Sequence, residues 1–354
     1  MSLRGARSAT KQSMAKKLKL GILTSGGDCP GLNALIAAIT TSGIKRGWEI
    51  LGIKYGFTGL FDQPKTIQLT KEPVENISSI GGSILGTSNN VDPFHVQTEK
   101  HPKDRSKEII NNIKKLNIDA LLVAGGDGSL SICHQLSEMG APIIGIPKTI
   151  DNDVYGTDLT IGFQTAVQSV MKASEAINIS GISHRRIMIV ETMGRSTGWI
   201  ALYAGVALFA DVILIPEIPY SIEKLSSFLK KKHTNEEESS LIIVAEGIVP
   251  NWTEAALKLK QALEKRLTTS IRADVIGHFQ RGGSPLAQDR LFAHECGIFA
   301  LDLVEKKKFN NFIIFKNGKL GSTEFFDGNR RTRFISPDEP AIKTAKEMGI
   351  YFGN

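Results

Sequence analysis

Two short apolar runs, residues 120–124 and 142–146, each break off at a polar loop. The first loop is Gly125-Gly126-Asp127-Gly128-Ser129 and the second is Lys148-Thr149-Ile150-Asp151-Asn152-Asp153. Unbroken apolar runs of this length read as strands buried on both faces, as in parallel sheets. Both loops then sit at the carboxyl rim of a sheet, where open α/β sheets hold their ligands. The glycines of the first loop let backbone approach a phosphate closely, and Asp127 offers a metal ligand. The second loop brings a cation, a hydroxyl and carboxylates into one turn. Phosphoryl transfer needs such a set: a phosphate cradle, charge balance and a group that takes a hydroxyl proton. Gly-rich and Asp-Asn turns also arise from turn chemistry alone, so the rest of the chain must decide between the two readings.

The same layout recurs along the chain. Residues 18–24 read as a strand running into Ser25-Gly26-Gly27-Asp28-Cys29-Pro30-Gly31, followed by a helix pattern over 34–43. Residues 48–54 read as a second strand, and a glycine-dense stretch over 81–90 offers another close approach of backbone to a ligand. Helices are predicted over 107–116, 129–139 and 160–179. In the second half, strands are predicted over 186–190, 212–215, 241–245 and 273–277, with helices over 199–208, 221–232, 252–267 and 286–305. Two polar loops interrupt them, Glu191-Thr192-Met193-Gly194-Arg195 and His278-Phe279-Gln280-Arg281-Gly282-Gly283-Ser284, and the charged run 230–240 reads as a solvated loop. Strands alternating with helices predict an α/β fold of two Rossmann-like lobes with mainly parallel sheets and the active site in the cleft between them. The expected divisions are a basic leader at 1–17, disordered or not native, a first lobe at 18–160, a second lobe at 161–305 and a C-terminal segment at 306–354. Part of that C-terminal segment is expected to return to the first lobe.

Composition bears mainly on partners. The formal net charge is +7, but Arg4, Arg7, Lys11, Lys16, Lys17 and Lys19 fall in a leader without acids, so the body is nearly neutral. A nucleic-acid partner is not expected. No apolar run approaches the ~20 residues of a membrane span, and the leader has no hydrophobic core of a secretory signal. Cys29, Cys133 and Cys296 are odd in number and far apart, which predicts unpaired thiols in a reducing, cytoplasmic setting.

Taken together, Leu23-Thr24-Ser25-Gly26-Gly27-Asp28, Gly125 to Ser129, Thr149 to Asp153, Met193-Gly194-Arg195, Glu246 and Gly277 to Pro285 resemble the phosphofructokinases in order and spacing. That resemblance implies transfer of a phosphoryl group to the 1-hydroxyl of fructose 6-phosphate, with the 18–160 lobe binding the donor and the 161–305 lobe the sugar phosphate. It implies Asp151 as the base, with Thr149 and Arg195 stabilising the transferring group. Gly27, Gly126, Gly128 and Ser129 would cradle the donor phosphates, and Asp127 would carry Mg²⁺. Met193 and Gly194 would line the sugar, Glu246 would accept its hydroxyls, and His278 and Arg281 would hold the 6-phosphate. Arg186 and Arg272 match arginines that reach a neighbouring subunit's sugar phosphate, which implies a dimer or tetramer with shared sites.

Three positions depart from the common pattern. Gly128 suits ATP, since a side chain there would crowd the α-phosphate, whereas Lys148 matches the pyrophosphate-using relatives. A steric block is harder to evade than an extra cation, so ATP is the expected donor and pyrophosphate the alternative. Asn89 replaces an arginine that reaches the donor phosphates, and Lys148 is expected to supply that charge. Ala37 and Thr41 replace effector-binding arginines, so an effector site of that kind is not expected. A non-catalytic sugar-phosphate-binding subunit is the remaining alternative, disfavoured because Asp127, Thr149, Asp151 and Arg195 are all present.

Overall fold

Eleven strands form two sheets in the described residues. They are β1 (Lys19–Thr24), β2 (Glu49–Ile53), β3 (Thr66–Leu69), β4 (Ala120–Gly125), β5 (Ile143–Pro147), β6 (Ile187–Thr192), β7 (Val212–Leu214), β8 (Ser240–Ala245), β9 (Ile271–Val275), β10 (Asn311–Lys316) and β11 (Lys319–Glu324). The structure is a computed structural model describing residues 17–354 apart from 90, 99–100, 235–237, 253 and 326–330. Residues 1–16 of the leader and the centre of the 230–240 run therefore lie outside the described residues.

The first sheet has the order β11-β10-β5-β4-β1-β2-β3, and the second β7-β8-β6-β9. Within the first, only the outer pairs β2–β3 and β10–β11 are antiparallel; all pairings of the second are parallel. The central strands β1, β4 and β5 are buried almost throughout, as their unbroken apolar sequences require. Beside β1 the chain reverses direction across the sheet, with β2 on one side and β4 on the other. Such a switch point opens a crevice at the carboxyl rim. Thr24 pairs with Ala124, and Gly125 with Pro147, so the loops after β1, β4 and β5 emerge side by side. In the second sheet Thr192 pairs with Ala245 and Glu191 with Val275, which brings Met193, Glu246 and the 277–281 turn to one rim as well.

Among the described residues the ten α-helices are α1 (Leu32–Lys45), α2 (Lys71–Val74), α3 (Ser106–Lys115), α4 (Asp127–Glu138), α5 (Phe163–His184), α6 (Trp199–Ala207), α7 (Ile222–Lys232), α8 (Ala255–Glu264), α9 (Ala287–Glu305) and α10 (Pro340–Glu347). The β10–β11 hairpin of the C-terminal segment extends the first sheet at one edge. Two features differ from the sequence reading: β3 forms the other edge where no strand was expected, and α9, grouped by sequence with the second lobe, packs on α1 and beside β5 and β10. A long amphipathic helix shows that it has a buried side without showing which surface it meets.

Asp289, at the first turn of α9, ties that helix to α5. Its carboxylate is fully buried and accepts hydrogen bonds from the backbone N–H groups of Gly162 (2.9 Å) and Thr165 (2.7 Å) and from the Thr165 hydroxyl (2.6 Å). It thereby satisfies donors at the start of α5 that the helix itself cannot. Asp289→Ala would strand these donors in the interior and is expected to destabilise the chain by about 3 kcal/mol. Urea unfolding measures this directly, and a loss below about 1 kcal/mol would show that water or a local shift replaces the carboxylate.

Candidate active site

A cleft of about 760 Å³ runs along the rim of the first sheet, lined by Gly26, Gly27, Asn89, Gly126, Asp127, Gly128, Ser129, Lys148, Thr149, Asp151, Arg195 and Arg281. Helix α4 begins at Asp127, so the first N–H groups of the helix and the positive end of its dipole meet this cleft. The Ser129 hydroxyl donates to that of Ser25 at 2.9 Å, which pins the loops after β1 and β4 together. At Gly128 an added Cβ would have no protein atom within 4 Å, so any side chain there would project into open space beside the helix start. Beyond this point the cleft continues past Val91, Ile132 and Gln135.

Lys148 is 2 % exposed, and its Nζ donates to the Gly27 carbonyl at 2.6 Å. Burial pushes its pKa down. Arg281 reaches the same loop from the second sheet: its Nη1 donates to the Asp28 carbonyl at 3.1 Å. A Cβ at Gly27 would fall 2.5 Å from that nitrogen, so the glycine makes room for the guanidinium. Across the cleft, an Arg195 guanidinium nitrogen lies 3.9 Å from an Asp127 oxygen, bringing the two rims within reach of one bound group. Asn89 is exposed at the edge of the cleft.

The turn after Lys148 holds the reaction centre. The Thr149 hydroxyl donates to Asp151 Oδ2 at 3.2 Å and accepts the Asp151 backbone N–H at 3.1 Å. The other carboxylate oxygen, Oδ1, is buried and has no hydrogen-bond partner. Burial pushes the Asp151 carboxyl up, and Arg281, Arg195, the Thr149 hydroxyl and Lys148 pull it back. Asp153, two residues on, is pushed up to about 8 by burial and by the charges of Asp151 and Asp127.

On the second rim, Glu246 Oε1 accepts the backbone N–H groups of Gly194 (3.2 Å) and Arg195 (2.8 Å). Gly194 has φ +143°, and a Cβ there would come 2.5 Å from the Thr197 carbonyl, so only glycine fits. Gln280 Oε1 accepts the Met193 N–H at 3.2 Å, joining this loop to the Gly277–Arg281 turn that carries His278. His278 is exposed. Arg186 precedes β6 and Arg272 lies near the start of β9, both at the end of the sheet opposite Met193. They do not line this cleft.

A family model described as Phosphofructokinase matches residues 19–304. The chain belongs to the phosphofructokinase family. It is 38% identical to an ATP-dependent 6-phosphofructokinase of Clostridium perfringens, covering 95% of this chain and 98% of the relative. A Nostoc protein with the same name apart from its number is also 38% identical, over 96% of this chain and 100% of its own. A pyrophosphate–fructose 6-phosphate 1-phosphotransferase of Dictyoglomus thermophilum is 38% identical over 91% of this chain and 96% of its own. Among solved structures, the phosphofructokinase of Saccharomyces cerevisiae superposes with a TM-score of 0.75 at 29% identity, over 94% of this chain and 46% of that one. The chain thus spans about half the length of the yeast subunit. A pyrophosphate-dependent phosphofructokinase from Marinobacter aquaeolei has a TM-score of 0.80 at 18% identity, covering 95% of this chain and 92% of that one, and shares the fold.

Within this family fold the sequence motifs fall at the two facing rims. Two residues that shape the site had no role assigned from the sequence. Gln280 positions Met193, and Thr160 donates to the Thr149 carbonyl at 2.7 Å. Gln280 lies inside the 277–285 motif, whereas Thr160 belongs to none. At the positions of the effector arginines, Ala37 is buried and Thr41 exposed in α1.

Proposed function

We propose that this phosphofructokinase-family chain transfers the γ-phosphoryl group of ATP to the 1-hydroxyl of fructose 6-phosphate, as its ATP-dependent relatives are named to do. The observation that carries the reading is the unpartnered, buried Oδ1 of Asp151, set beside Thr149 in a cleft with Lys148, Arg195 and Arg281. A buried carboxylate oxygen without a protein donor is rare in a folded chain and marks a group whose partner comes from outside it; at the edge of a phosphate-binding cleft a substrate hydroxyl is that partner, reached by a small opening of the turn. Neighbouring cations oppose the rise that burial gives the carboxyl and stabilise charge that develops on the transferring group.

In this reading the N–H groups at the start of α4, with Gly27, Gly126, Gly128 and Ser129, hold the donor phosphates. Lys148 supplies there the charge that Asn89 lacks. Arg195 and Thr149 steady the transferring group, and Asp151 takes the hydroxyl proton. Met193, Gly194 and Glu246 frame the sugar, while His278 and Arg281 bind its 6-phosphate through oxyanion hydrogen bonds. Asp127, which faces the cleft and whose charge is felt at Asp153, suits Mg²⁺. Among the described residues no cluster of three or more His, Cys, Asp or Glu side chains forms a metal cage, which fits an ion that arrives with phosphate ligands. When bound, Mg²⁺ would neutralise donor charge.

The donor assignment rests on Gly128. The space beside it and the continuation toward Val91, Ile132 and Gln135 leave room for a nucleoside. Pyrophosphate remains the second reading because Lys148 lies among the donor loops and one close relative is named for that donor. Arg186 and Arg272, remote from the cleft, would serve a second copy's sugar-phosphate site in a dimer or tetramer. Exposed Val275 and Phe279 near the edge strand β9 supply apolar surface for that contact. The lobes would divide as the sheets do, 18–160 with the β10–β11 hairpin and 161–305 without α9. We place the reaction in the cytoplasm, in keeping with three free, buried cysteines.

Initial rates with fructose 6-phosphate and Mg²⁺, with ATP or pyrophosphate in parallel, test the proposal. Turnover with ATP is expected. Turnover with pyrophosphate alone would overturn the donor, and none with either would overturn the reaction.

A further inference from the structure

The turn that carries Asp151 depends on a residue 181 positions away in sequence. Asn152 has φ +53°, a left-handed conformation that side-chain-bearing residues adopt only when their surroundings impose it. Its side-chain amide donates to the Asp158 carbonyl, and its Oδ1 lies 3.3 Å from the Thr160 hydroxyl, whose single proton is shared with the nearer Thr149 carbonyl. The Asn152 carbonyl accepts from Arg333 Nη1 at 3.0 Å. The next carbonyl, that of Asp153, accepts the Arg333 backbone N–H at 2.8 Å. Thr332 and Val154 form an antiparallel bridge, so residues 332–333 run alongside the turn like a short strand.

Arg333 also grips the opposite half of the cleft. Its guanidinium carbon stands 3.9 Å from the ring centroid of Trp199, and its carbonyl accepts the Trp199 indole N–H at 2.8 Å. Trp199 is 1 % exposed and opens α6, directly behind the loop that carries Met193, Gly194 and Arg195. Arg195 is itself left-handed, with φ +51°. Two residues further on, the Ile335 N–H donates to Glu217, whose carboxylate also accepts the Gly198 N–H. Residues 332–335 thus touch the backs of both loops, and Arg333 does not line the cleft. The charged or titratable groups around Arg333 are Asp158, Glu339 and Tyr203, none of which we assign to the reaction.

We propose that Arg333 is a positioning residue for phosphoryl transfer, strapping the Thr149–Asp153 turn to the Met193–Trp199 loop so that Asp151 and Arg195 keep their separation across the cleft. Arg333 itself lines no part of the cleft, and Met193 and Gly194, which frame the sugar, are held separately by Gln280 and Glu246, so the strap acts on the geometry of the reacting groups more than on substrate binding. A misplacement of about 1 Å at such groups can cost on the order of 100-fold in rate. The inference rests on the roles proposed above for Asp151 and Arg195.

The test compares the full-length chain with Arg333→Ala and Arg333→Lys at saturating fructose 6-phosphate and ATP, with melting temperature measured in parallel. In Arg333→Ala, kcat should fall by about tenfold or more while both KM values stay within about threefold. Millimolar methylguanidinium should restore part of that loss and leave the unaltered chain unaffected. Arg333→Lys, which keeps one donor but loses the planar fork, should fall between the two. If the alanine variant does not fold, the lysine variant decides by the same split between kcat and KM. A folded variant whose kcat stays within about twofold of the unaltered chain, or whose loss is carried by KM and ignores methylguanidinium, would overturn the strap. An unaltered chain without turnover would instead remove the phosphoryl-transfer reading, and the strap's catalytic role with it.

Discussion

Asp151→Asn should lower kcat roughly 10³-fold, within the range that a positioned general base supplies, while fructose 6-phosphate still binds. The substitution keeps the shape of the side chain and an acceptor for the Thr149 hydroxyl, so the turn has no reason to rearrange. It removes the ability to take a proton. The unpartnered Oδ1 makes the contrast sharp, because in the unaltered chain that oxygen has no competing bond to break before it accepts the hydroxyl. Steady-state kinetics with binding by calorimetry separates the two quantities. A kcat within about tenfold of the unaltered chain would remove Asp151 from the role of base and leave positioning and electrostatics to carry the reaction. A proportionate loss of binding would instead mark Asp151 as a substrate anchor.

Gly128→Asp should cut kcat/KM for ATP by about 10² or more, with little change in the melting temperature. The fold is spared because no protein atom lies within 4 Å of the new Cβ. Gly128 is in the first turn of a helix, where an acidic side chain is compatible with the backbone and the dipole. The cost falls on the ligand. A carboxylate about 4 Å from a donor phosphate, at an effective dielectric near 20, opposes it by about 4 kcal/mol before screening, in addition to occupying its path. Donor kinetics in the variant measure this loss, and an unchanged kcat/KM for ATP would show that the nucleotide does not pass Gly128. A parallel gain of turnover with pyrophosphate would show that this one position sets donor choice in the presence of Lys148.

The reacting loops were legible in the sequence because their signals are local. Buried parallel strands write themselves as unbroken apolar runs, as in 120–124 and 142–146. A loop that must admit backbone to a ligand writes itself in glycine, as at Gly126 and Gly128. The mainly parallel α/β architecture followed from the same alternation, and the two sheets bear it out. The antiparallel edge strands were less visible. β3 has two exposed residues out of four, and β11 has only partly buried and exposed residues, so neither carries a clear apolar run.

What no local pattern could specify is which distant residues meet. Arg281 reaches Asp28 across 253 positions, Asp289 caps α5 across 127 and 124, and Arg333 holds Asn152 across 181. Each is a polar contact whose partners are ordinary residues until packing brings them together. Sequence alone determined where β1, β4 and β5 end to within one residue, and therefore which loops could bind phosphate, because backbone conformation and burial leave short-range traces. Strand β9, with exposed residues in its pattern, runs over Ile271–Val275 and not the expected 273–277. Tertiary structure alone decided that α9 covers the first sheet, that Arg281 serves both rims, and that the C-terminal segment braces the turn bearing Asp151. Those outcomes depend on the joint packing of elements far apart in the chain, and hydrogen-bond satisfaction between them is settled only once the interior has closed.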